Sequence, residues 1–189
     1  MNDIGKVDEN TWFFRNVVRR RVPLGFAAGA VFFLFARPTA VDIFWGLWPA
    51  LAGAALRAWA SGTIVKNEEL TTDGPYRLTR NPLYVGNFLM GLGVAVMGGR
   101  LWLVGLFLLV FVPVYHALVR KEEKRLVERY GDYFFSYCKE VPRFIPNLKA
   151  WPPPPAAYDP RRMWHVHREW RAWLGLYAAT LYLLLRSGG

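Results

Sequence analysis

Apolar residues along this chain fall in long blocks separated by short polar breaks. From the N-terminus, a polar and aromatic lead-in (Met1–Arg21) ends in Arg19-Arg20-Arg21 and holds no apolar core of the kind a cleavable leader needs. The first block, Val22–Ala36, is closed by Arg37-Pro38. It is short for a bilayer span, and flanking arginines that snorkel to the interface would extend it. A second block covers Ala40–Ala60 and stops at Ser61-Gly62. A polar loop, Thr63–Arg80, precedes a third block, Pro82–Gly98, and a Gly98-Gly99-Arg100 turn leads into a fourth, Leu101–Val119. Blocks three and four therefore form an antiparallel hairpin. The pattern continues with helical spacing through Arg120–Tyr130, which predicts a helix running out into water and stopping at Gly131. Asp132–Cys138 reads as a short aromatic helix ended by Val141-Pro142, and Trp151–Pro155 as a stiff proline run. Arg161–Arg171 is basic and Trp-rich, suited to a headgroup region, and Leu174–Leu185 is a candidate fifth span.

The expected fold is all-α: a polytopic membrane helical bundle of about five transmembrane helices in one domain over residues 1–189. Its core would lie in 61–146, with a proline-rich linker and C-terminal helix in 147–189. Gly25 and Gly29 form a GxxxG pair that predicts close helix packing. Hydrophobic residues make up 53% of the chain and nine residues are Trp, which favours a membrane protein over a soluble globule. The net charge of +10 would suggest nucleic acid in a soluble protein. With five spans, however, twenty-one of the 24 Lys and Arg residues fall on one side. The other side holds only Arg37, Arg100 and Arg186. Such bias marks the basic side as cytoplasmic, so no nucleic-acid partner is needed to explain it. One cysteine, Cys138, excludes an intrachain disulfide and a CxxC site.

The chemistry concentrates in Asp73–Gly86, DGPYRLTRNPLYVG, between two apolar blocks. Pro82 disfavours helical backbone at Asn81, and Asn is a good N-cap, so a helix should begin at Asn81-Pro82 with Arg80 beside its anion-attracting end. On the Arg120–Tyr130 helix, Glu122 and Glu123 lie on or beside a stripe formed by Tyr115, Leu118, Val119, Leu126 and Tyr130. Acids on the apolar side of a helix at a membrane boundary need a partner or a task. Either a salt bridge to Arg77 or Arg80 or a ligand would satisfy them. Arg77 and Arg80 are equally suited to an anionic group or to headgroup anchoring, and Tyr76 and Tyr84 to an interfacial belt. Gly91-Leu92-Gly93 lies inside an apolar helix and cannot be a dinucleotide loop. His165 and His167 form an HxH without an evident third ligand, so no metal site is expected. His116 reads as a packed or interfacial residue.

Taken together, KNEELTTDGPYRLTRNPLYVGN (Lys66–Asn87), the apolar hairpin and EEKRLVERYGDYFFSYCKEVPRFIP (Glu122–Pro146) resemble the isoprenylcysteine carboxyl methyltransferase and phospholipid methyltransferase superfamily. The likeness covers about Ser61–Pro146. It implies a polytopic enzyme that methylates a lipid-like substrate with S-adenosylmethionine (SAM) at the cytoplasmic membrane face. By that resemblance Glu122 and Glu123 would hold the donor's ammonium. Tyr76, Arg80, Asn81, Pro82 and Tyr84 would enclose the cofactor, with Arg80 nearest the transferring group. The carboxyl methyltransferase branch usually has Arg-His-Pro where this chain has Arg80-Asn81-Pro82, and Asn-Pro is similar to the phosphatidylethanolamine branch. With arginines present and no titratable base at position 81, the preferred acceptor is a prenylcysteine-type carboxylate or thiol. Phospholipid amine N-methylation is the alternative. An NADPH-dependent sterol-type reductase, which shares a GPYR-like loop, and a non-catalytic scaffold are the competing classes.

Overall fold

The computed structural model describes residues 12–65, 70–154 and 156–188. The first part of the lead-in and Lys66–Glu69, which opens the quoted motif, lie outside the described residues. The described residues form six α-helices and no strand. They are α1 (Trp12–Phe35), α2 (Ala40–Thr63), α3 (Pro75–Leu78), α4 (Pro82–Met97), α5 (Leu101–Glu140) and α6 (Trp170–Ser187). A 3₁₀ turn at Leu148–Ala150 and a π turn at Arg162–Val166 punctuate the connection between the last two.

Several boundaries follow from identifiable backbone chemistry. α1 starts ten residues before the expected apolar block, because helical hydrogen bonding carries on through the exposed Arg19–Arg21 without needing an apolar face. α2 is opened by a capping box in which Thr39 Oγ1 accepts from the Asp42 N–H and the Asp42 carboxylate accepts from the Thr39 N–H. α5 passes through Gly131 at φ 50°, ψ −125°, a backbone state open to glycine, so the long helix and the aromatic helix after it are two segments joined at a kink. The stop predicted at Gly131 is therefore a change of direction.

α2 and α4 run antiparallel in closest contact. A Cβ on Gly46 would stand 2.5 Å from the Gly93 carbonyl oxygen, and one on Gly53 would stand 2.5 Å from that of Gly86. The two contacts are seven residues apart on both helices, with the fully buried Ala50 between them. Small residues at heptad spacing thus let two backbones touch. Gly25 and Gly29 do not: among the described residues a Cβ on either meets nothing within 4 Å. The GxxxG expectation for α1 is overturned because that face turns towards an open apolar cavity rather than a neighbouring backbone.

α1 packs on α5, and α6 lies across α2 and α4. At one end of the bundle a core of Ala36, Ile43, Ala50, Met97, Leu103 and Leu183 is closed by polar contacts. The Arg37 N–H donates to the Gly98 carbonyl, and the Arg186 guanidinium donates to the terminal carbonyls of α1, Phe33 and Leu34. Arg37, Arg100 and Arg186, the three cations set apart by the charge count, therefore gather at this end. The central loop and the outward part of α5 occupy the other, around Phe134, Tyr137 and Val141.

Over Leu101–Tyr130 one helix is long and apolar enough to cross a membrane, and Pro82–Met97 is apolar but shorter. The apolar run of α2 is interrupted by Asp42 and Arg57, and that of α1 by its arginines.

Candidate active site

The central loop is built as the sequence pattern suggests. Gly74 turns at φ 57°, Pro75 opens the single-turn α3, and Thr79 returns to extended backbone before Pro82 starts α4. Asn81 stands at the N-cap position, but its side chain does not cap α4. Instead Asn81 Nδ2 donates to the Arg143 carbonyl, 3.1 Å away, and Thr79 Oγ1 donates to the same oxygen at 3.1 Å. The expected Asn81 cap is thereby replaced by a tie to residues 142–147. The Arg80 N–H donates to the Pro142 carbonyl (2.9 Å) and the Asn147 N–H to the Leu78 carbonyl (2.8 Å), which completes that tie.

Beneath it lies a cavity of about 500 Å³ between the loop, α4 and the outward part of α5. Tyr76, Arg80, Asn81, Pro82, Tyr84, Glu122 and Glu123, all seven residues singled out from the sequence, line it. The two acids differ sharply. Glu123 is buried, and its carboxylate holds Arg80 Nη1 at 3.0 Å and takes two bonds from Arg143, Nε to Oε1 at 3.0 Å and Nη2 to Oε2 at 2.6 Å. Glu122 is exposed on the cavity wall. The salt-bridge alternative is thus realised by Glu123 with Arg80. Arg77 is turned outward to an exposed pair with Glu140 and is not among the cavity-lining residues.

Arg80 is nearly buried, at 10% side-chain exposure, and besides Glu123 it contacts the Cys138 sulfur. Burial pushes the Cys138 thiol up from its ordinary value, with the Arg80 charge opposing. Among the described residues Arg80 Nε–H, buried, has no acceptor. A buried donor without a partner is costly, and Arg80 as a residue lines the cavity. The Tyr137 hydroxyl donates to the Tyr76 carbonyl at 2.5 Å. Burial raises the Tyr76 phenol well above its usual range, helped by Tyr137 and Glu169 and opposed by Arg57, so it stays a neutral donor.

A second, apolar cavity of about 630 Å³ lies between α1, α4, α5 and α6 and includes Gly25, Gly29, Met90, Phe107, Phe111 and Tyr115. Tyr84, on the polar cavity, meets Tyr115 edge-on at 5.5 Å, and Tyr115 stacks on Phe111 at 3.7 Å. One ring pair therefore separates a polar chamber from an apolar one.

Four residues at the site were missed in the sequence. Arg143 follows Pro142 in a segment whose fold was unknown. Arg57 counted only as a charge, although a lone arginine in an apolar helix is itself a signal. Asn87 lies in α4, and Glu169 is an isolated acid in a basic stretch. Arg57 donates to both oxygens of Glu169 and to Asn87 Oδ1. His165 and His167 fall on and just after the π turn, and no cluster of three His, Cys, Asp or Glu suited to a metal ion occurs among the described residues.

The described residues thus form a helical bundle with a charged chamber beside an apolar one. The phospholipid methyltransferase family profile matches residues 26–133, more than half of the chain, and the chain belongs to that family. It is 35% identical over 102 residues to the cobalt-zinc-cadmium resistance protein CzcN of Cupriavidus metallidurans, covering 54% of this chain and 44% of that one. It is 38% identical over 83 residues to the protein-S-isoprenylcysteine O-methyltransferase of Schizosaccharomyces pombe (44% and 35% covered). The corresponding enzyme of Xenopus laevis is 33% identical over 118 residues (56% and 41% covered). The matched segments span less than half the length of these curated relatives. No solved structure matches the chain.

Proposed function

We propose that this chain is an integral membrane methyltransferase that takes a methyl group from SAM and passes it to an anionic, lipid-like acceptor, a prenylcysteine-type carboxylate or thiol. The observation that carries the acceptor class is Arg80: a guanidinium fixed by Glu123, with a buried Nε–H that has no acceptor among the described residues. Family membership supports methyl transfer and runs against the reductase reading. The activity of two relatives, both protein-S-isoprenylcysteine O-methyltransferases, supports the prenylcysteine acceptor.

The residues fit the donor. A cavity of about 500 Å³ with an exposed acid, neutral phenols and apolar walls suits a zwitterionic amino acid joined to a flat ring system. When bound, the donor supplies an electrophilic methyl carbon on a cationic sulfur. Glu122 would hold its ammonium, Tyr76 and Tyr84 would flank it, and Pro82 and Leu83 would keep water from the reacting end. Arg80 Nε–H would hold one oxygen of an acceptor carboxylate, leaving the other directed at the methyl carbon. A carboxylate acceptor is already anionic, so this chain's residues would have no proton to remove from it and would serve to hold its oxygen in place. Asn81, tied to the Arg143 carbonyl, is not required as a base. Positioning and fixed charge supply the acceleration.

The membrane setting draws support from large apolar side chains left exposed around the bundle: Phe44, Trp45 and Trp48 on α2, Leu101 and Leu109 on α5, Leu174 and Leu185 on α6. So much apolar surface on several helices at once suits a lipid surround. Helix α6, at 18 residues, is about 27 Å long, close to a bilayer core. The five-span reading with a cytoplasmic site rests on this and on the charge asymmetry. Single cysteines introduced as Asp73→Cys and Arg100→Cys, each in a Cys138→Ser background, are expected to label with an impermeant maleimide from opposite faces of sealed vesicles. Labelling of both from one face would break the topology.

The activity is tested by incubating purified protein with methyl-labelled SAM and either a farnesylcysteine analogue or total lipid extract. Base-labile label in the analogue is the expected outcome for a methyl ester. Label confined to a base-stable phospholipid headgroup would move the assignment to amine N-methylation, and no transfer to either would remove it.

A further inference from the structure

The C-terminal segment after the family match places a buried carboxylate behind the wall of the polar cavity, against a lining arginine. Glu169, just before α6, is almost wholly buried, at 3% side-chain exposure, and meets Arg57 of α2 across 112 residues of sequence. Arg57 Nε donates to Oε2 at 3.0 Å and Nη2 to Oε1 at 2.8 Å, while Nη1 donates to Asn87 Oδ1. Arg57 and Asn87 line the cavity. The bidentate geometry cancels the guanidinium charge at the cavity wall.

Glu169 is delivered by a segment held in place at several other points. The Asp159 N–H donates to the Gly62 carbonyl at 2.9 Å, and the Pro154 carbonyl accepts from the Gly74 N–H at 3.2 Å. The Tyr158 ring covers Gly62, and Trp151 lies edge-on to Trp59. The strap from Trp151 to Glu169 therefore does not depend on the ion pair alone for its path.

We propose that Glu169 is a positioning residue of the donor cavity, which neutralises Arg57 so that this guanidinium adds no positive charge to the wall facing a cationic methyl donor. This rests on the SAM reading above. A sulfonium donor carries a positive charge at the reacting sulfur, and the thioether left after transfer does not. An uncompensated Arg57 would repel the first and be indifferent to the second. A cavity of about 500 Å³ is some 10 Å across, so the effect is felt wherever in it the sulfur sits. For unit charges 8–10 Å apart at an effective dielectric of 20–40, the penalty corresponds to about five- to thirtyfold in affinity.

The experiment is calorimetry of SAM and S-adenosylhomocysteine on detergent-solubilised full chain. Glu169→Gln is expected to weaken SAM about five- to thirtyfold relative to S-adenosylhomocysteine. The Arg57→Gln/Glu169→Gln double variant is expected to bring the ratio back to that of the unaltered protein. A merely structural role would lower both affinities together, and that result overturns the inference while leaving the SAM reading intact. Failure of the unaltered protein to bind either compound removes both. Should Glu169→Gln not fold, Arg57→Gln provides the mirror test: SAM should gain on S-adenosylhomocysteine, and an unchanged or reduced ratio overturns the proposal.

Discussion

Replacing Glu123 with Gln is expected to lower stability by about 3–5 kcal/mol and to abolish methyl transfer, whereas Glu122→Gln should leave stability unchanged and weaken SAM alone. Glu123 is buried between two guanidinium groups. A neutral amide there leaves Arg80 and Arg143 facing each other at a largely desolvated site, which is the costly way to break an ion pair. The loss would spread, because Arg143 also presents the carbonyl that holds Thr79 and Asn81. Glu122 has no such burden, being exposed on the cavity wall. Loss of one charge-assisted hydrogen bond to the donor's ammonium is worth roughly 1.5–3 kcal/mol, about ten- to a hundredfold in affinity. Thermal unfolding in detergent and calorimetry with SAM read the two effects separately. An Glu122→Gln variant with unchanged SAM affinity would take that residue off the donor.

The difference between these neighbours shows where sequence reading runs out. Consecutive helical residues point about 100° apart, so an EE pair beside an apolar stripe has one member turned inwards and one turned away. The stripe itself gives no choice between them. That choice is made by Arg143, twenty residues on in the chain and beyond the Gly131 kink, whose position no periodicity encodes. The loop was legible for the opposite reason. Gly74, Pro75 and Pro82 act on their own backbone and immediate neighbours, so the turn, the short helix and the start of α4 could be read locally. The Gly98–Arg100 turn and the Gly131 break were legible on the same ground.

The Arg57–Glu169 pair, unlike Glu123 with Arg80, was not legible. Arg57 stands out as a charge in an apolar helix, but nothing in the sequence points to Glu169 as its partner, and only the path of the strap brings them together. Glycine spacing also misled. Gly25 and Gly29 have the familiar spacing on α1 and meet no neighbour among the described residues, whereas Gly46 and Gly53 on α2 meet Gly93 and Gly86 on α4. A small residue permits close approach, but the partner helix decides whether it happens. Asn81 was read as a cap by its local preference and was drawn instead to a carbonyl from a distant segment.

Arg80→Lys is the substitution that tests the reacting end of the site most directly, and it is expected to lower kcat about a hundred- to a thousandfold with SAM affinity nearly unchanged. Lysine keeps the charge and can still approach Glu123, whose two bonds from Arg143 remain in place, so the loop should hold. What it loses is the fork. Arg80 offers Nη1 to Glu123 while Nε–H, on another edge of the same rigid plane, stays directed elsewhere. A single ammonium on a flexible stem cannot serve the buried acid and hold an acceptor oxygen in line with the donor methyl in the same geometry. The cost should therefore fall on the chemical step, where orientation matters, and not on donor binding. Initial rates with a farnesylcysteine analogue at saturating SAM, together with calorimetry of SAM, separate the two. If SAM affinity collapses while kcat is preserved, Arg80 belongs to the donor's carboxylate, and the anionic-acceptor assignment loses the residue it stands on.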